Sequence, residues 1–190
     1  MNTQANAPSY QPKKLRPNLA HTGIFVTDMD RMVDFYTRVL GLTLTDRGVG
    51  LNRTTDIAFL SANPEQHHQL ALASGRPKDA TFSTVMQTSF MVSSLNDLRA
   101  IRNAALANGA TAMRGTNHGN AWSIYFKDPE GNTVECYLDT PFHVPQPHGD
   151  PLDLDKSDAE IVRETEAVCR KDPGFMMRDE YVRRQARAMA

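Results

Sequence analysis

The feature that most restricts how this chain can fold is an internal repeat. HTGIFVTDMDRMVDFYTRVLG, beginning at His21, aligns with QTSFMVSSLNDLRAIRNAALANG, beginning at Gln87, an offset of 66 residues. Both copies read as a polar residue, a threonine, a short apolar strand, a polar turn and a helix closed by glycine, Gly41 in one and Gly109 in the other. Further on, IAFLSANPEQHHQLALA (57–73) lies on WSIYFKDPEGNTVECYL (122–138) at an offset of 65, each reading strand, Pro-Glu turn, strand. The pattern is βαβββ, twice, over about 19–75 and 84–139. A single unit would leave one sheet face bare, so the expected fold is α+β, with the two βαβββ units pairing into one cup-shaped sheet over 19–140.

Outside the repeat the chain changes character. Residues 1–18 carry Pro8, Pro12 and Pro17 among polar residues and read as a flexible N-terminal arm. Residues 141–190 read as a Pro-rich crossing followed by a C-terminal helical extension. Ser157 and Glu160 fit a capping box that opens one helix, and Pro173 with Gly174 stops it. A second, basic helix spans about 176–188. These helices are expected to buttress the mouth of a pocket or to form a contact within a homodimer.

Charge narrows the partners. Lys and Arg number 21 against 22 Asp and Glu, a balance that gives no nucleic-acid footprint and no polybasic membrane patch. No run approaches 18 apolar residues, and the N-terminus lacks an apolar core of signal-peptide length. Cys136 and Cys169 fit neither a disulfide framework nor a thiolate metal site. The expectation is a cytoplasmic protein that handles small molecules.

Repeat symmetry then organises the polar residues. His21 corresponds to Gln87, each at the start of the first strand of its unit, and the offset of 65 sets Leu70 against Glu135 in the last strands. By strand alternation His68, Leu70 and Leu72 share one face, and Thr133, Glu135 and Tyr137 share the matching one. His21, Gln87, His68 and Glu135 can therefore converge. Glu135 interrupts the apolar run NTVECYL, and a buried carboxylate needs a partner. An outward-facing strand residue is the ordinary explanation; the repeat partnership with His21 favours a metal or catalytic role.

The segments HTGIFVTDMDRMVDFYTRVLGL, HHQLALASG and SIYFKDPEGNTVECY resemble the vicinal oxygen chelate superfamily, which includes type I extradiol dioxygenases, glyoxalase I, fosfomycin-resistance enzymes and bleomycin-binding proteins. The similarity covers about residues 19–140 and is nearest to the extradiol dioxygenases. It implies a divalent metal held by His21 and Glu135, with Gln87 at the position where the dioxygenases carry their second histidine. It further implies His68 as the acid/base histidine, Tyr125 as a hydrogen-bond donor to substrate, and His118 in a loop that supplies polar groups to the pocket. Phe59, Phe90 and Trp122 are candidate apolar walls.

The implied activity is extradiol-type cleavage of a catechol-like aromatic diol by O2. The metal implied first is Fe(II), which the 2-His-1-carboxylate triad favours; the amide oxygen of Gln87 would let Mn, Ni, Mg or Zn compete, and His68 is an alternative third ligand. A glyoxalase-like isomerase or lyase is the alternative that Gln87 favours, although such an enzyme ordinarily has a second carboxylate near Leu70. A binding protein that sequesters a small molecule is the third.

Overall fold

The computed structural model describes residues 16–51 and 54–189; residues 1–15 of the expected N-terminal arm lie outside the described residues. The first unit runs β1 (Thr22–Val26), α1 (Met29–Leu40), β2 (Thr43–Val49), β3 (Asp56–Ser61) and β4 (Leu70–Ser74). The second repeats it as β5 (Thr88–Met91), α2 (Leu95–Ala107), β6 (Thr111–Asn117), β7 (Ala121–Lys127) and β8 (Thr133–Asp139). Helix α1 begins where the Asp28 side chain accepts the Arg31 N–H, and ends at Gly41, whose φ of 65° a side chain would strain. Its buried residues Met29, Met32, Phe35, Tyr36 and Val39 follow helical spacing, so one face enters the core.

Each unit closes on itself by the same move. The first strand pairs in parallel with the last, β1 with β4 and β5 with β8, giving the orders β1-β4-β3-β2 and β5-β8-β7-β6. Among the described residues hydrogen bonding stops at β1 and β5, so the strands form two sheets rather than one continuous cup. Side chains join them instead. A single buried cluster takes Ile24, Val26, Met32, Phe35 and Leu72 from the first unit with Leu98, Ile124, Phe126, Val134 and Cys136 from the second. Phe35 meets Phe126 edge-on at 6.3 Å.

A second lock comes from the turn before β8. The Glu130 carboxylate accepts the backbone N–H groups of Thr27 and Asp28, each at 2.7 Å, where α1 of the other unit begins. Buried Asp128 accepts the Tyr36 hydroxyl of α1 at 3.0 Å. The turn thus ties the helix of one repeat to the hairpin of the other.

The sheets alternate as strand geometry requires, with one register different from the sequence expectation. Thr22 pairs with Leu70, and Thr88 pairs with Val134. Since Thr22 follows His21 and Thr88 follows Gln87, Leu70 corresponds to Val134, and the residue equivalent to Glu135 is Ala71. Leu70 and Leu72 are fully buried towards the helices. The one-residue shift puts them on the face opposite to the one expected.

Beyond the repeat, the chain crosses back over the second sheet. The crossing contributes β9 (Phe142–His143) and β10 (Asp150–Pro151), the latter pairing with β6 as a fifth strand. It touches β6 closely: a Cβ on Gly115 would sit 2.4 Å from the Leu152 carbonyl oxygen. Helix α3 (Asp158–Cys169) follows with the expected capping box at Ser157 and Glu160, then β11 (Met176–Met177) and α4 (Arg178–Met189). Thr165 of α3 accepts from Trp122 Nε1 at 2.8 Å and from Asn117 Nδ2 at 2.9 Å. Trp122 is therefore core that anchors α3, not the wall of a pocket. Helix α4 buries no residue fully; Tyr181 stacks on His143 at 3.7 Å. Cys136 and Cys169 are both free and buried. No helix among the described residues is long and apolar enough to cross a membrane.

Candidate active site

Val134, Cys136 and Leu138 of β8 turn to the helices, so Glu135 between them turns to the opposite face, where it is nonetheless 8% exposed. Three neutral donors meet its carboxylate. Gln87 Nε2 and Ser89 Oγ both donate to Oε2 at 2.6 Å, and the Tyr125 hydroxyl donates to Oε1 at 2.5 Å. Register explains the grouping: Ser89 on β5 and Tyr125 on β7 lie directly across from Glu135. No cationic side chain forms an ion pair with it among the described residues.

The network continues outward through Tyr125. Its hydroxyl lies 2.8 Å from His118 Nε2, and His118 Nδ1 lies 2.8 Å from the His148 carbonyl. A carbonyl only accepts, so Nδ1 carries a proton. Burial first, then the adjacent Glu135, pushes the Tyr125 hydroxyl up to about 12, which keeps its proton in place through neutral pH. The guanidinium of Arg114 covers the Tyr125 ring at 4.0 Å.

The first unit supplies a separate group of imidazoles. His21 and His68 rings lie 4.3 Å apart, and the Phe59 ring flanks His68 at 4.8 Å. His68 sits before β4 begins, so the loop, not a strand face, carries it to His21. His67 Nδ1 lies 3.0 Å from His68 Nδ1 and its Nε2 lies 2.8 Å from Asp46. Burial, then the imidazoles of His21 and His67, hold His68 below the ordinary histidine value of 6.5.

A groove of about 480 Å³ between the starts of β1 and β5 is lined by His21 of one group and by Gln87 and Ser89 of the other. His118 does not line this groove; it opens onto another of about 580 Å³, with Arg114 and His148. Phe90, expected as an apolar wall, also lines the 480 Å³ groove, with its ring 6.4 Å from that of Tyr36. Among the described residues no three His, Cys, Asp or Glu side chains gather as a metal site, so His21, His68 and Glu135 are not assembled as a triad.

The donor set nonetheless suits a divalent cation. A buried carboxylate surrounded only by neutral dipoles retains an uncompensated charge, and His21 and Gln87 line the adjoining groove. Sequence reading missed Ser89 and Arg114. Period-two alternation from Gln87 reaches Ser89, but only the hairpin register sets Arg114 opposite Tyr125.

The model of the Glyoxalase/Bleomycin resistance protein/Dioxygenase superfamily matches residues 18–136. Biphenyl-2,3-diol 1,2-dioxygenase 2 of Rhodococcus globerulus is 27% identical over 127 residues, which cover 65% of this chain and 63% of that protein. Biphenyl-2,3-diol 1,2-dioxygenase 3 of the same organism is 29% identical over 128 residues, 65% of this chain and 64% of that protein. The chain thus spans just under two thirds of the length of these curated relatives. A glyoxylase/bleomycin resistance protein/dioxygenase domain from Frankia sp. EAN1pec superposes with a TM-score of 0.56 at 25% identity, over 66% of this chain and 100% of that one. The fosfomycin resistance protein FosX from Mesorhizobium loti superposes with a TM-score of 0.52 at 18% identity, over 66% of this chain and 94% of that one, a likeness of fold alone.

Proposed function

We propose that this chain, which belongs to the glyoxalase/bleomycin resistance protein/dioxygenase superfamily, is a metal-dependent extradiol-type dioxygenase that cleaves a catechol-like aromatic diol with O2. One observation carries the reading: the Glu135 carboxylate, buried among Gln87, Ser89 and Tyr125 with no cation of its own, adjoins a groove lined by His21. His21, Glu135 and the Gln87 amide oxygen would hold the ion. Bound there, an Fe(II) ion would polarise the diol and pass electrons to dioxygen.

The remaining work falls to the chain's own side chains. His68, kept neutral at physiological pH by burial and its imidazole neighbours, accepts a proton from a diol hydroxyl and returns it later. Tyr125, which stays protonated and donates to Glu135 in the free protein, would turn that hydrogen to the developing oxyanion once the carboxylate holds the ion. His118, fixed through Nδ1 by the His148 carbonyl, holds the Tyr125 hydroxyl from its other side. The curated dioxygenase relatives support this reading. Ala71 at the position equivalent to Glu135 supports it too, because the carboxylate expected there of a glyoxalase is missing.

Gln87 favours a second reading, a non-oxidative isomerase or lyase in which the metal is only a Lewis acid. Elemental analysis of protein purified without chelator, followed by oxygen uptake and product spectra with a panel of catechols, separates the two. Stoichiometric oxygen uptake with a ring-opened product is expected after Fe(II) loading. Metal binding without oxygen uptake on any catechol would overturn the dioxygenase reading, and tight binding of an aromatic ligand without metal would favour a sequestering protein.

A further inference from the structure

We propose that Arg114 binds a carboxylate borne on the aromatic ring of the substrate, so that the preferred diol is an acidic catechol; this rests on the reading just given and narrows it. The groove of about 580 Å³ beside Tyr125 lies between β6 and the crossing, lined by Arg114, Thr116, His118, Pro147, His148 and Asp150. It is a built feature. Gly115 brings β6 into backbone contact with Leu152, the His148 carbonyl holds His118, and Gln146 Nε2 donates to the His118 carbonyl at 2.8 Å.

Within this groove the guanidinium is held in place without being neutralised. Arg114 Nη1 donates to Thr116 Oγ1 at 3.0 Å and the group lies flat over the Tyr125 ring, yet no carboxylate among the described residues forms an ion pair with it. The acid of the groove, Asp150, sits 3.1 Å from His148 Nε2. The planar fork of Arg114 therefore retains donors for a carboxylate, the anion it matches in geometry. Position gives the ligand its shape. Arg114, Tyr125, Glu135 and Ser89 stand directly across from one another on β6, β7, β8 and β5, so the cation and the diol end of the site share one sheet face although each lines its own groove. A molecule with a diol at one end and a carboxylate at the other, joined by a ring, fits that separation of charge.

The test compares acids with their primary amides. Binding of 3,4-dihydroxybenzoate, 3,4-dihydroxyphenylacetate, phenylacetate and their amides to the purified protein is measured by calorimetry for wild type, Arg114→Gln and Arg114→Lys, with folding checked by circular dichroism. The expected result is a preference of about 10-fold for at least one acid over its amide, reduced at high salt because the guanidinium is solvent-exposed. Arg114→Gln should bring that preference to within about 2-fold, and Arg114→Lys should keep part of it, as a point charge without the fork does. Equal binding of acid and amide by wild type, or a preference that survives Arg114→Gln, would overturn the assignment. Oxygen uptake on the same diols is read in parallel. No turnover on any of them, with an Arg114-dependent acid preference intact, would sink the dioxygenase reading while sustaining the carboxylate site.

Discussion

Glu135→Gln should stabilise the metal-free protein and abolish its stabilisation by metal. The carboxylate is buried, and its three hydrogen bonds come from neutral groups. Burial of such an ion costs several kcal/mol, a cost that its hydrogen bonds reduce but no partner charge cancels. Glutamine fits the same contacts without the charge: its oxygen accepts from Gln87 and Ser89, and its amide donates to the Tyr125 oxygen, which then turns its proton to His118 Nε2. The metal-free variant should therefore be more stable by about 1–2 kcal/mol, since replacing buried ions by neutral groups is commonly stabilising. At about 2–4 °C per kcal/mol for a chain of this size, its Tm rises by about 2–8 °C. Metal should reverse the order. At 100 times Kd a bound ion adds about 2.7 kcal/mol to wild type, or about 5–11 °C, and nothing comparable to the variant. Thermal melts of both proteins after chelator treatment, and again across a Mn(II) titration that avoids redox side reactions, make the comparison. A metal-free variant less stable than wild type by more than about 1 kcal/mol, or equal Mn(II) stabilisation of both, would refute the assignment of Glu135 as a strained ligand.

Three further outcomes are expected. His68→Gln should lower turnover by about 10²-fold; because His68 must be neutral to accept a proton and titrates below 6.5, wild-type activity should fall as pH drops through that lowered value, and an acidic limb that persists in the variant would place the base elsewhere. Gln87→His should tighten Fe(II) binding in competition with a chelator, since imidazole completes the triad that iron prefers, and unchanged affinity would remove residue 87 from the coordination sphere. Gly115→Ala should cost about 1–3 kcal/mol by forcing the crossing away from β6, whereas Gly48→Ala, which meets nothing within 4 Å, serves as the control; equal melting of the two would contradict the close packing at Leu152.

The repeat, its strands and helices, the capping box at Ser157 and the anomaly of Glu135 were all legible in the sequence, because each is written in periodicity or in neighbours a few positions apart. The equivalence of Ala71 with Glu135 was not. The two copies differ in the length of their connecting segments, so the offset of 65 that aligns the Pro-Glu turns fails by one residue at the last strand, and only backbone pairing reveals Ala71 at the matching place. Tertiary structure likewise brought Glu130 to the start of α1, and laid the Pro-rich crossing on β6 so that the His148 carbonyl reaches His118. It also divided the expected convergence of polar groups into an imidazole pair in one unit and a carboxylate network in the other, joined by a groove. The physical reason is the same in each case. Local patterns specify which way a strand or helix faces, while the meeting of residues far apart in the chain depends on the register and packing of whole elements, which no short window of sequence contains.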